Sequence, residues 1–550
     1  MGAPQLVRSE GLDYLIFDYL AELTMSILAR ARARDAGAGY AGDFVSVAMK
    51  SVIGEIAARG IRVVSNAGGV NPSACAAALR ACADEAGVAL KITTVEGDDL
   101  LGRADDFRAD GVTEMFSGAP FPDELMSVNA YFGAFPIASA LDAGAQIVIT
   151  GRCVDSALAL GPLIHEFGWR ADDFDALAAG SLIGHILECG AQATGGLHTD
   201  WASVADWPAI GYPIAECTAD GSFFLTKPDA TGGLIEPQVV SEQMLYEVGD
   251  PGAYLLPDVS CDFTQVAMEP AGKDRVRVSG ARGNPPSDSY KVSATYLDGY
   301  RATAMLTIIG REAKAKAERT ADAILTRVRR IFRARNLADF SATDIEVLGA
   351  EAAYGPHSRA LDAREIVLKL AVAHPDKAAL EIFGREVSPA GTSWAPGTTG
   401  FSGRPKAQPK VAMFSFLAPK ETAMPRLTVD EQARAFDAPT TGALPKPALA
   451  ATYGNDLHQV PEGARIAVPL IALAYARSGD KGDSANIGVI ARRPEFIALI
   501  HEEVTPARVK DYFAHLVEGT VERFDVPGIG AFNFLLTQAL GGGGMASLRN

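Results

Sequence analysis

The strongest constraint in this sequence is the repeated coupling of a short aliphatic run to an amphipathic stretch between residues 10 and 170. YLIFDYL leads into ELTMSILARARARDA, IRVVSN into PSACAAALRACADEAG, and AQIVITG into DSALALGPLIHEFG, with ALKITTVEG as a further run. Such runs are too short for buried helices and too continuously apolar for strands with one wet face. They predict βαβ units and a parallel sheet covered by helices on both faces. Ligands of open parallel sheets collect beyond the carboxyl ends of the strands, so the residues that follow each run carry the most functional weight.

Those residues are polar and glycine-rich. After IRVV come Asn66, Gly68, Gly69 and Asn71, with Asn71 placed to cap the helix that Pro72 opens. After TTVE come Asp98 and Asp99, and after IVIT come Arg152 and Asp155; Asn129 precedes a further helix. Glycine and asparagine are ordinary turn chemistry in any one loop. Four such loops at one end of a sheet predict a shared cleft. Further on, LAAGSLIGHILECGAQATGG reads as a helix that puts Ser181, His185 and Glu188 on one face, ending at a glycine-permitted change of direction. A buried histidine beside a carboxylate is more often a satisfied core pair than a catalytic one; here Cys189-Gly190 and Thr194-Gly195-Gly196 follow at once, so Glu188 sits at a sharp turn of the chain.

The sequence divides into an N-terminal α/β domain over 1–260, an α+β region continuous with it over 261–424, a Pro-, Ala- and Thr-rich linker over 425–464, and a C-terminal domain over 465–550. In the α+β region AKAKAERTADAILTRVRRIFRAR is a basic amphipathic helix whose cations form a solvated face. The last domain runs strand, strand, helix, helix, strand, strand, the order of a small ferredoxin-like α/β sandwich. Its first two strands flank ARSGDKGDSANIG. There Arg477, Asp480, Lys481, Asp483 and Asn486 surround glycines able to turn successive N–H groups into an anion-binding concavity. Arg477 offers a fork and Lys481 a point charge, with the two aspartates as their counterions. The alternative is an ionic latch at a domain boundary.

Other classes are excluded or disfavoured. A formal charge of −17 argues against nucleic acid or an anionic membrane as partner. No apolar run approaches the roughly 18 residues a membrane helix needs. The six cysteines are scattered without a CxxC pair and the eight histidines without HExxH spacing, so reduced core cysteines in a cytoplasmic protein are expected, and no metal centre. Neither a GxSxG elbow nor a dinucleotide fingerprint stands out.

The segments LDYLIFDYLAELTMSILA, GYAGDFVSVAMK, RGIRVVSNAGGVNP, VEGDDL, IVITGRCVDSALALGP, HILECGAQATGG and YPIAE resemble the acyclic terpene utilisation (AtuA) family, and ARSGDKGDSANIG with ALGGGGMASLR resembles its C-terminal ferredoxin-fold module. The resemblance implies catabolism of acyclic terpenoid or branched acids as coenzyme A thioesters, alongside biotin-dependent acyl-CoA carboxylases and enoyl-CoA hydratases. The expected function is therefore a hydratase or lyase acting next to the thioester. Asp99, Asp155, His185 and Glu188 are the acid–base candidates. Asn66, Gly68, Gly69, Asn71, Asp98, Asn129, Arg152, Arg477, Asp480, Lys481, Asp483 and Asn486 are the binding candidates, with no tightly bound cofactor and coenzyme A only as part of the substrate. The second reading is a non-catalytic subunit of a carboxylase or hydratase complex. A homo-oligomer is expected in either case.

Overall fold

A computed structural model describes residues 2–401, 403–429, 432–436, 452–453, 466–544 and 546–549. The aliphatic runs form strands β1 (Tyr14–Phe17), β2 (Arg62–Ser65), β3 (Ile92–Glu96) and β5 (Ile147–Thr150), while β4 (Ser127–Ala130) belongs to a different sheet. The first four lie side by side in the order β1, β2, β5, β3, all parallel. Successive residues of each strand feed opposite cores. Val63, Ile147 and Ile149 pack with Ile53, Ile56 and Leu79 on one face; Val64 and Val148 pack with Leu141, Leu160 and Leu182 on the other. That two-sided burial is why the strands read as continuously apolar.

The sheet continues past β3 with two antiparallel strands, Arg426–Val429 and Gln432–Ala435. Both fall in the stretch expected to be a linker. Leu427 and Val429 alternate inward there, a two-residue period too short to stand out among prolines and threonines. The remainder of that linker, at 430–431, 437–451 and 454–464, lies outside the described residues.

The α+β region is built on one strand, Ser289–Ile309. Its first half pairs antiparallel with Gln408–Pro419 and β4, and its second half with Glu365–His374 and Thr398–Phe401. Ala302, Ala304, Leu306 and Ile308 meet Ala317, Ala321, Ile324, Val328 and Phe332 of the basic helix Ala313–Ala334, whose cations lie on its other faces. Pairing through β4 ties this sheet to the N-terminal domain.

The C-terminal module is a four-stranded antiparallel sheet in the order Ala474–Lys481, Ser484–Ala491, Ala531–Leu536, Val521–Val526, with helices Ile497–Glu503 and Pro506–Tyr512. Phe532, Phe534 and Leu536 join Ile500 and Val509 in its own core. Asn533, between them in sequence, points the other way: its amide donates to the carbonyls of Val248 and Gly249 at 2.8 and 2.6 Å. Asn486 likewise donates to the Leu245 carbonyl at 2.6 Å and to Asn533 at 2.9 Å. Arg492 grips Asp200 with two bonds of 2.7 and 2.6 Å. Thr199 exchanges hydrogen bonds with both the N–H and the C=O of Ala476. Ile490, Val526 and Ala531 extend the N-terminal core itself. The module is therefore fastened to the cleft-bearing domain by polar and apolar contacts together.

Candidate active site

The end of β1 supplies the centre of the site. Asp18, one residue past the strand, accepts from the Asn66 amide at 2.7 Å and from the Leu20 N–H at 3.1 Å. Asn66, just past β2, accepts in turn from the Tyr19 N–H at 2.7 Å. Two neighbouring strand ends thus fix each other. After β5 the chain turns through Arg152 and Asp155, and the helix Phe174–Glu188 brings its last residue to the same place. Among the described residues, carboxylate oxygens of Asp18, Asp155 and Glu188 all lie within 4.8 Å of one another.

Three like charges this close repel strongly, and the surroundings answer in two ways. Asp18 is open at its surface, yet the protein packed around it first, and then the Asp155 charge, push its carboxyl up to about 7, against the opposing pull of Asn66 and Arg152. Burial likewise raises Glu188, and the neighbouring Asp155 adds to it. The second answer is cationic. Arg152 is fully buried and donates to Asp155 at 3.1 Å, with its guanidinium carbon 4.2 Å from the Tyr131 ring centre. Lys291 approaches the same ring, at 5.1 Å. The Tyr131 hydroxyl donates to Glu22 at 2.7 Å. Burial opposes ionisation of Glu22, but Arg152 and Lys291 outweigh it and hold its carboxyl at about 2.

The remaining cation comes from the C-terminal module. Gly479 to Asn486 are the end of a β-hairpin whose tip is Gly482–Asp483, with Lys481 opposite Ser484. Gly482 has φ +60, the left-handed conformation a two-residue hairpin turn requires. Lys481 stands at this tip, 2.6 Å from Glu247, and faces Asp155 and Glu188 as well. Burial disfavours its charge, yet the three carboxylates raise its affinity for the proton well above the ordinary value. Half of its side chain stays open to solvent (51%), which screens part of that attraction.

Behind Glu188 lies His185, only 1% exposed. Its Nε2 is 3.0 Å from the Met244 carbonyl and its Nδ1 3.2 Å from Glu188 Oε1. In front of Glu188 opens a cleft of about 2230 Å³. One wall is apolar, formed by Ala159, Pro162, Leu163, Phe167, Ile183 and Leu187. Phe17, Tyr19 and, from the π-helical turn Phe44–Met49, Val47 and Ala48 line the cleft too. Tyr212, Lys227 and Arg275 lie farther along.

Six of the residues singled out in the sequence therefore gather at one point: Asn66, Arg152, Asp155, His185, Glu188 and Lys481. The others stand apart from it. Asp98 is buried beneath the loop, where it accepts from the Arg152 N–H and the Asn129 amide, both at 2.9 Å; burial pushes it up to about 7. Asp99 is half exposed, 3.4 Å from Arg32. Asn71 caps the helix Pro72–Glu85 and donates to the carbonyls of Ala36 and Ala38. Gly68 and Gly69 pack too tightly for a side chain, against Thr150 and Leu28 respectively, and the Gly69 N–H is spent on the Asn66 carbonyl. Arg477 is buried at the module interface, bonded to Gln192 and the Leu197 carbonyl and 4.5 Å from the Tyr246 ring centre. Asn486 belongs to the same interface. Asp483 folds back on the Leu540 and Gly542 N–H groups, and Asp480 lies exposed near Gly544. The hairpin is thus a latch that also delivers one lysine, not a nest. Sequence reasoning missed Asp18, Glu22, Lys291 and Glu247; Asp18 was discoverable, since YLIF ends just before it and the first residue past a parallel strand is a site position.

Fold and site together define an α/β protein whose strand-end acid cluster is completed across a module boundary by a ferredoxin-like domain. The chain belongs to the acyclic terpene utilisation family: the pattern of the acyclic terpene utilisation family protein AtuA matches residues 1–429, and that of the AtuA ferredoxin-like domain matches residues 468–550. No curated protein and no solved structure matches it. Among the described residues, no helix is long and apolar enough to cross a membrane.

Proposed function

We propose that the chain is an acyl-CoA hydratase or lyase of acyclic terpenoid or branched-acid catabolism, acting beside the thioester in this cleft. The observation that carries the reading is a compressed acid cluster, two of whose carboxylates, Asp18 and Glu188, line a cleft of about 2230 Å³ together with an apolar stretch. Pockets for small ligands span roughly 300–1,000 Å³, so this one suits a ligand with a long carrier arm. The branched acyl chain lies along Leu163, Phe167, Ile183 and Leu187, and the thioester end meets the carboxylates. In the dehydration direction Asp155, paired with Arg152, takes the α-proton. Its electron pair forms the C=C bond, the C–O bond breaks toward oxygen, and a protonated carboxyl of the cluster gives that oxygen its proton, releasing water. Lys481 and Arg152 balance the negative charge that moves through the site.

The test is incubation of the full chain with 3-methylcrotonyl-CoA and geranyl-CoA in ¹⁸O-water, followed by mass spectrometry. A hydratase gives a product heavier by one labelled water, lost again in Glu188→Gln; a lyase gives a shortened thioester. Thioesters recovered unchanged contradict the enzymatic reading. The competing role, a carboxylase or hydratase partner that binds without turnover, is favoured by no particular contact here, because the C-terminal module turns its hairpin inward, onto the N-terminal domain.

A further inference from the structure

The hydrogen-bond geometry around His185 counts protons. Its Nε2 faces a backbone carbonyl, that of Met244, at 3.0 Å. A carbonyl oxygen only accepts, so Nε2 carries hydrogen. In a neutral ring Nδ1 would then be a bare lone pair, yet it lies at ion-pair distance, 3.2 Å, from Glu188 Oε1, inside the protein, unaligned for a hydrogen bond and with no hydrogen-bond partner. Two lone pairs do not sit together in a buried place at that distance without cost. One proton between them removes the conflict, and Glu188, which raises the affinity of His185 for it, keeps it on Nδ1.

We propose that His185 and Glu188 hold a single buried proton between Nδ1 and Oε1, and that Glu188 delivers it into the cleft. The delivery rests on the function proposed above; the shared proton does not. Glu188 is then the catalytic acid, at the cleft surface. His185 touches no substrate and is a positioning residue: the Met244 carbonyl fixes its tautomer, and it holds the proton in reserve behind the glutamate. The pair is neutral with its proton and anionic without it. The groups facing it are Asp18 and Asp155 across the cluster, Lys481 and Glu247 from the hairpin side, Cys189 next along the chain, and Tyr254, whose ring lies 5.6 Å from the imidazole. Burial alone would strip the imidazole of its charge, but Glu188 outweighs it and raises the affinity of His185 for the proton. Because the two groups are coupled, their titration belongs to the pair.

The proton can be read without substrate. In full-length protein labelled with ¹⁵N-histidine, the His185 signal is assigned by its loss in His185→Gln. The wild type is expected to show a protonated or proton-sharing Nδ1 at pH 7, and Glu188→Gln, whose amide donates to that nitrogen, a bare one. A bare Nδ1 in the wild type, unchanged in Glu188→Gln, overturns the shared proton whether or not any thioester is turned over. For delivery, the pH profile of turnover decides. In His185→Gln the alkaline limb is expected to move at least about one unit toward acid, since a lone carboxyl replaces a coupled pair. A reduced rate with an unmoved limb overturns delivery and leaves His185 a packing residue.

Discussion

Gly184→Ala sets helix propensity against packing at a place that controls the site. Gly184 lies in the buried helix that ends at Glu188, and a methyl group there would lie 2.5 Å from the Ser156 carbonyl oxygen and 2.6 Å from its Cα. Ser156 is main chain in the loop that carries Asp155, so neither atom can swing away. Comfortable carbon contacts begin near 3.5 Å, so helix and loop must part by roughly 0.9 Å. Alanine gains about 1 kcal/mol over glycine inside a helix, while forcing an extra methyl group into a packed core costs about 1–3 kcal/mol. The variant should therefore lose up to about 2 kcal/mol net. A misplacement near 1 Å among reacting groups should also lower turnover about 100-fold. Gly54→Ala is the control: Gly54 is exposed in the helix Lys50–Arg59 with nothing within 4 Å of the added methyl, and should gain about 0.5–1 kcal/mol. Urea unfolding followed by tryptophan fluorescence compares the midpoints. If Gly184→Ala unfolds at the same or a higher midpoint than Gly54→Ala, the close approach of helix and loop is wrong.

Three further outcomes are expected. Asp98 is raised from 3.8 to about 7 by burial, so the native state binds its proton more tightly than the unfolded chain, and its contribution is present below pH 4 and lost as pH rises through 7. Asp98→Asn keeps an oxygen to accept from Arg152 and Asn129, and thermal melts should show it gaining on the wild type between pH 5 and 8, by about 3 kcal/mol at about 1.4 kcal/mol per pH unit up to pH 7. Lys481→Met leaves Asp155, Glu188 and Glu247 without their ammonium; with half the lysine side chain exposed, the loss in stability should stay near 1 kcal/mol, while turnover falls far more, and equal small effects on both would show the lysine to be a surface latch only. Asn533→Leu removes two bonds to the Val248 and Gly249 carbonyls and buries both acceptors unpaired, so hydrogen exchange should show the module's sheet opening more readily, at a cost of about 1–3 kcal/mol.

The parallel sheet was legible because burial on both faces leaves an unmistakable run of β-branched and aliphatic residues, as in IRVV and IVIT. The C-terminal module was legible from element order alone. What could not be read was which face of an element meets which partner. His185 and Glu188 could be placed on one helical face, but nothing local said that Asp155 and a lysine about 300 residues later would face them. Asp99 and Asp98 are adjacent in sequence just past β3; one became a surface pair with Arg32 and the other a buried strut under Arg152 and Asn129, a split that depends on partners distant in sequence. In ARSGDKGD the glycines suggested a nest, yet the stretch continues two paired strands almost to its tip, since ladder hydrogen bonds satisfy its N–H groups better than a loop would. The strands at 426–435 were hidden for a similar reason: they are stabilised by the edge of β3, not by their own composition.

The most direct test of the account is calorimetric titration of the full chain with free coenzyme A, 3-methylcrotonyl-CoA and geranyl-CoA, repeated on Leu163→Asp. Leu163 lines the apolar wall without touching the acid cluster, so a charge there should abolish the preference for the longer acyl chain and leave coenzyme A binding intact. The account predicts affinity that grows from coenzyme A to geranyl-CoA in the wild type and is levelled in the variant. Equal affinity for all three in both proteins, or none, contradicts a cleft built for a branched acyl thioester.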